Sequence, residues 1–529
     1  MTTIIGILAF IFVLGLIILV HEGGHYFFAR RANILVREFS FGMGPLLLKK
    51  KKGETLYSLR AFPIGGFCAI AGEEYEDDPL KGREYIKLEI EDGIIKKIYL
   101  DDDEELFADI KTYRLLDYDL FDEKETGKLF MILDDGDEYR EYKVDSQALY
   151  VTAKQELQIA PYNRTMNAKS KRARAMVLFG GPLMNFILAL VVFLLAGLLG
   201  GFPNYESPQI SEVIEGSPAE EAGLQAGDNI TYLQSGLLDK EINKWTDISE
   251  FMDEYTAEYP TEQILVTFER DGAIDTIVVK PLVVIYSISL VSDPNADGVV
   301  IGPLATGSKA YQAGLREGQE IATVNGAEVS TWKDVYDAFI DNEKGKDVSL
   351  TVKNNNATYT VSPYSKDIMD TQKTLGGNTI PMVNVSMGIS PENKFDLIQS
   401  LAYSGRMTIQ SFGLIFDTLK ILFTSDEVGV QNLSGPVGIF TMTSTIASQG
   451  LVSIFNWIGM LSVNIGLINL FPIPALDGGR LVFLGYEAVT KKKPSQKVET
   501  ALISVTMILL LGLMIYVTYN DILRLIGVR

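Results

Sequence analysis

His21, Glu22 and His25 stand together in "HEGGH", directly after the apolar run "IIGILAFIFVLGLIILV". The chain of 529 residues has two histidines, and both are here. On a helix, residues four apart share a face. Two imidazoles aimed at one point suit two ligands of one zinc ion. Glu22 lies beside that point, placed to take a proton from a metal-bound water and pass it to a leaving amine. That chemistry is hydrolysis of a peptide bond. The plain alternative is a chance match of five letters. Against it, ionisable groups at membrane depth are costly and usually functional. Gly23 and Gly24 each weaken a helix by about 1 kcal/mol relative to alanine. Their presence makes sense where something must approach that face closely.

Four stretches come near the roughly 20 apolar residues that a transmembrane helix needs. They fall within 1–30, 175–201, 451–480 and 499–522. No basic residue precedes the first and no small-residue cleavage pattern follows it, so it reads as a mature span, not a signal peptide. A further segment, 395–450, contains "TIQSFGLIFDTLKILFT" with Asp417 and Lys420. It reads as amphipathic and interfacial, with a buried or spanning helix as the alternative. Arg30, Arg31, Arg37 and Lys49 to Lys52 follow span one, and Lys491 to Lys493 follow span three, while Glu206, Glu212 and Glu215 follow span two. Basic loops stay cytoplasmic. Both termini are therefore expected outside, with Arg524 and Arg529 dissenting mildly.

Two histidines leave zinc short of a protein ligand. Spans one and three both run inward, and span three ends "NLFPIPALDGGR". Pro472 and Pro474 break the helix there. Asp477 then arrives at the level of the histidines. A lone aspartate after a span is more often a solvated loop residue; beside two histidines, a third ligand is the better reading.

The net charge of −21 argues against nucleic acid as a partner. Cys68 is the single cysteine, which excludes an intrachain disulfide and a cysteine cage. Mean hydropathy is positive although 22% of residues are charged, so apolar residues are concentrated in segments. Residues 31–72 alternate apolar and glycine positions and predict a β-hairpin region associated with the membrane, with an ordinary soluble hairpin as the alternative. Residues 73–160 hold 27 acidic and 12 basic residues and strand-like runs, which predicts a β-rich acidic cytoplasmic insert. Between spans two and three, "GSPAEEAGLQAGDNI" at 216–230 aligns with "GSKAYQAGLREGQEI" at 307–321, eight of fifteen positions being identical. The offset of 91 fits one small domain per copy. Both copies resemble PDZ domains, expected at 204–290 and 291–365, which bind extended peptides by strand addition.

With these residues in place, the chain resembles the site-2 proteases, zinc intramembrane metalloproteases, of the bacterial regulator-of-sigma-E type. HEGGH matches the family's HExxH, and "NLFPIPALDGG" at 469–479 its NxxPxPxLDGG. "GGPLMNF" at 180–186 and "SGPVGI" at 434–439 match two further segments. Residues 73–160 have no clear counterpart in that pattern. The expected fold is a polytopic α-helical membrane protein with four transmembrane helices, a membrane-associated β-hairpin, a β-rich cytoplasmic insert and two extracytoplasmic PDZ-like domains. The resemblance implies Zn2+ on His21, His25 and Asp477, and Glu22 as catalytic base. It implies a bacterial cell membrane location, with the active site near the cytoplasmic side. Substrates would be single-span membrane proteins, such as anti-sigma factors and signal-peptide remnants, cut within the span after a first outer cleavage. The PDZ pair would act as a size filter. Asn469, Pro472, Pro474 and Asn185 are expected to contact substrate. A non-catalytic scaffold with a structural metal is the rival from another class, and it leaves Glu22 without a purpose. A transporter is a weaker rival, since no inverted repeat is present.

Overall fold

The computed structural model describes residues 2–526 apart from 74–77, 101–106, 125, 135–138, 154–155, 259–261, 306, 371–380, 425–428 and 431–432. The chain divides into two compact units, Met1–Ala189 with Leu461–Gly512, and Leu190–Met460 with Leu513–Arg529.

In the first unit, the unbroken apolar run forms helix α1, Thr2–Arg31. It closes on Arg30 and Arg31, whose charges suit a helix C-terminus. Asn33, at a φ of 54°, then turns the chain. Helix α2, Lys171–Gly200, contains Pro182. The two helices touch through glycine. A Cβ on Gly24 would lie 2.1 Å from the Gly180 carbonyl oxygen, so any side chain there would push the backbones apart. These two helices, with Leu451–Asn469 and Gln496–Leu525, are long and apolar enough to cross a membrane.

Strands β1, Val36–Lys52, and β2, Thr55–Ile70, are too long to stay straight. Gly42, Gly44 and Gly65 adopt positive φ and bend them. Phe39 therefore pairs with both Cys68 and Tyr57, and Lys49 pairs back to Ser58. The result is a four-stranded antiparallel ribbon in the order 66–70, 36–41, 55–60, 48–52. Residues 66–70 form its edge, with no second partner among the described residues. Met43, Leu46, Leu47, Leu48 and Phe62 are exposed at the far, bent end. An apolar tip of this kind marks a surface that meets something other than water.

Residues from Tyr85 to Gln158 form a six-stranded sheet. Ile94–Tyr99 also pairs in parallel with Tyr139–Val151, which curls the sheet around its own core. Leu80, Ile95, Ile98, Met131 and Leu133 fill that core with no exposure. The acidic runs at 101–106 and 135–138 lie outside the described residues.

In the second unit, the two repeat copies fold alike. Each begins with a short helical turn capped by serine, Ser217 at Pro218–Glu221 and Ser308 at Lys309–Gln312. Each continues into a four-stranded sheet with a helix between its second and third strands in sequence, Trp245–Glu258 and Trp332–Ile340. The copies share one continuous core, with Phe251 and Phe268 from the first and Phe339 and Leu350 from the second. Two strands lying beyond residue 365, Val383–Ser386 and Ile389–Pro391, return to pair with Leu282–Ile285 and Ile210–Val213.

The segment at 395–450 consists of two helices, Leu397–Thr424 and Pro436–Ser448. Pro436 occupies the first turn of the second helix, where its missing N–H costs nothing. The first helix turns Ile398, Leu401, Ile409, Phe416 and Phe423 outward, and Ser400, Ser404 and Ser411 inward. Ser404 donates to the Leu190 carbonyl at 2.6 Å. The exposed side of this helix is thus apolar, and its covered side carries small polar residues.

Candidate metal centre

His21 and His25 lie one turn apart on α1, and both are buried. Asp477 begins the helix Asp477–Thr490. The chain reaches it through tight turns from Leu470 to Leu476. A Cβ on Gly478 would meet the Leu470 and Phe471 carbonyl oxygens at 2.3 Å, so glycine is what lets this turn close. The turn delivers the Asp477 carboxylate to the histidine face.

The three groups converge on one point. His21 Nε2 and His25 Nε2 are 3.3 Å apart. Asp477 Oδ2 lies 3.3 Å from the first and 3.4 Å from the second. Zinc bonds of about 2.0–2.1 Å at tetrahedral angles separate ligand atoms by about 3.3–3.4 Å. The triangle therefore has the size of three corners of a zinc tetrahedron. Among the described residues it is the one group of three that could hold a metal ion. The donor set of two imidazoles and one carboxylate also suits zinc. Asp477 Oδ2 is buried with no hydrogen-bond partner, which is costly unless a cation satisfies it.

The other ring nitrogens are held from behind. His25 Nδ1 donates to the Val177 carbonyl at 2.8 Å, which leaves Nε2 bare toward the centre. His21 Nδ1 faces the Asn185 amide at 3.2 Å. Both partners sit on α2. Their approach depends on Gly181, where a Cβ would lie 2.3 Å from His25 Nε2 and 2.8 Å from the His21 ring. Gly24 serves the same approach, whereas Gly23 faces open space.

A cleft of about 380 Å3 opens onto the centre. Ile18, Glu22, Phe67, Cys68, Asn469 and Arg480 are among its walls, with His21, His25 and Asp477. Glu22 stands in the cleft beside the triangle, with Gly66 and Cys68 in the same wall. The edge strand 66–70 thus borders the cleft beside Glu22. Of the other residues singled out in the sequence, Asn469 lines the cleft. Pro472 and Pro474 lie in the turn leading to Asp477, and Asn185 lies behind His21. Sequence reasoning missed the Val177 carbonyl, the edge strand's contact with Glu22, and an ion pair between Arg480 and Glu73 at 2.6 Å. The glycine pair in "GGPLMNF" was the available signal for the first.

Comparison with known proteins extends this picture along the whole chain. Residues 9–513 match the sequence model of Peptidase family M50. The zinc metalloprotease RasP of Oceanobacillus iheyensis is 32% identical over 530 positions, covering 99% of this chain and 100% of that protein. A zinc metalloprotease RasP of Shouchella clausii is 31% identical, covering 98% and 99%. The regulator of sigma-W protease RasP of Bacillus subtilis is 29% identical, covering 98% of each chain. A match of this length, over a histidine–aspartate centre beside apolar helices, admits one conclusion: the chain belongs to Peptidase family M50 and is a bacterial membrane zinc metalloendopeptidase.

Proposed function

We propose that this enzyme cuts single-span membrane proteins within their membrane segment, with His21, His25 and Asp477 holding zinc and Glu22 as the catalytic base. The observation that carries this reading is the open edge strand 66–70 running beside the metal triangle and Glu22. Zinc held by these three residues would supply Lewis acidity and make a nearby water more acidic. Glu22 would serve as the base that accepts a proton and returns it to the leaving amine.

A helical substrate hides its amides in its own hydrogen bonds, so it must open before attack. An edge strand offers unpaired N–H and C=O groups to an extended chain. Pairing with residues 66–70 would replace the helical bonds that unwinding loses. Asn469, which lines the same cleft, would bind the strand through its amide. The basic loops after spans one and three support a centre near the cytoplasmic side, with both termini and the repeat pair outside. The printed name of the Bacillus subtilis relative supports anti-sigma factors as substrates. The repeat pair, read as PDZ-like domains, would exclude substrates whose outer domain is still attached.

The test is a single-span reporter with its N-terminus inside and a short outer tail. Wild type and Glu22→Gln are compared in detergent, with zinc content measured for both. Cleavage within the span by wild type alone, at equal zinc, supports the reading. Equal cleavage by both proteins removes Glu22 from the chemistry. No cleavage by either, with zinc and reporter bound, favours a scaffold.

A further inference from the structure

A second and larger cavity, of about 710 Å3, lies next to the catalytic cleft. Glu73 and Arg480 line both spaces, and their ion pair forms the sill between them. Beyond the sill the walls come from the starts of α2 and of the Gln496–Leu525 helix and from the Asp477–Thr490 helix. The volume falls in the range of sites that hold a drug-sized ligand, comparable in bulk to a short peptide.

The lining is not that of an anion site. Arg174 is paired with Glu487 at 2.8 Å, and Arg480 with Glu73. Lys493 and Glu499 supply one further charge of each sign. Leu178, Phe483, Leu484 and Ile503 form an apolar strip among these groups. Balanced charge around an apolar strip suits a polypeptide, which brings polar backbone and an apolar side chain together. The position is also telling. Lys171, Arg172 and Arg174 begin α2, and Lys491 to Lys493 precede the last span, so the cavity lies at the basic, cytoplasmic ends of the helices.

We infer that this cavity binds the cytoplasmic flank of the substrate, the stretch that leaves the cleft over the Glu73–Arg480 sill. The inference rests on the reading of the cleft as a site for a membrane-spanning polypeptide. A strand lying along 66–70 continues toward Glu73, three residues beyond Ile70, and so reaches the sill directly. The cavity then adds affinity and register. A flank seated there sets which bond of the span stops over the centre.

Two reporters with the same span test this, one with a full cytoplasmic flank and one with the flank cut back to a single residue. Wild type is expected to favour the long flank in kcat/KM by about tenfold, the factor expected when one apolar side chain is buried. The double variant Thr500→Trp/Ser504→Trp fills the cavity from exposed positions. That preference should collapse toward one, through KM. A photo-crosslinking residue at position 503 in the Glu22→Gln protein should capture the long flank. Wild type without a flank preference, or a preference untouched by the filled cavity together with no captured flank, overturns the inference. Failure of wild type to cut either reporter would instead count against the proposed function, and the crosslink would still report whether the flank occupies the cavity.

Discussion

Each histidine proposed as a ligand has two ring nitrogens, and the centre can use one of each. With Nε2 toward the metal, Nδ1 must carry the proton. Val177 supplies an acceptor for His25. For His21 the partner is Asn185, whose Oδ1 is buried without a hydrogen bond while its Nδ2 faces the ring. Exchanging the two amide atoms, which are alike in shape, gives His21 the acceptor that it needs. Asn185→Leu is expected to weaken zinc about 10–100-fold, the usual cost of losing a partner behind a ligand. Chelator competition measures this, and an unchanged affinity would remove Asn185 from the centre. Gly181 makes a sharper case. A methyl group there would collide with both rings. Gly181→Ala should lose zinc while keeping its helix content by circular dichroism.

Elements meet at this centre because their surfaces permit close approach. At Gly24 two tendencies oppose each other. Alanine would stabilise an isolated helix by about 1 kcal/mol, but its methyl group would sit 2.1 Å from a backbone oxygen that cannot rotate away. Overpacking of this kind costs about 1–3 kcal/mol. Gly24→Ala should therefore lower the thermal midpoint, and a raised midpoint would show that α1 and α2 do not touch there. The hairpin is tied by a different device. Glu54, at its turn, accepts hydrogen bonds from Arg164 at 2.7 Å and Gln158 at 3.0 Å. The Arg164 hydrogen bond holds the Glu54 carboxyl below its ordinary range. A lowered folded pKa stabilises above the unfolded value and fades as pH falls through the folded one. The stability gap between wild type and Glu54→Gln should thus narrow as pH drops from about 6 to about 3, spanning the ordinary Glu pKa. A gap constant across that range would show that the clamp does not depend on charge.

At the scale of the molecule, the repeat copies are not separable beads. Their shared core and the strands returning at 383–391 tie residues 204–394 into one body. The fragment 204–394 should unfold in one transition, and 204–290, which lacks the returning strands, should not fold. A deletion testing the size filter must likewise run to 394, since stopping at 365 leaves two strands without partners. That deletion should admit reporters with an intact outer domain. If it only slows the cleavage of short ones, the repeats dock substrate and do not filter it. The acidic insert has its own core, so replacing 79–157 with a flexible linker should leave cleavage of short reporters intact. The replacement keeps Arg164 and Gln158, on which the hairpin turn depends.

The sequence by itself determined what depends on near neighbours. Helical spacing placed His21 and His25 on one face, hydropathy marked four spans, and proline and glycine marked the turn before Asp477. The repeat was legible because two copies of one pattern keep their turn residues. Tertiary structure decided what depends on contacts across more than a hundred residues. It alone set the triangle's dimensions, placed Asn185 behind His21, and brought the Arg480–Glu73 sill into being. It also divided two long strands into four passes, which exposed residues 66–70 as an edge beside Glu22. For the centre the physical reason is packing. A local pattern limits which way a side chain points, whereas distances between segments are set by how closely backbones pack, and here glycines at 24, 180 and 181 set that approach.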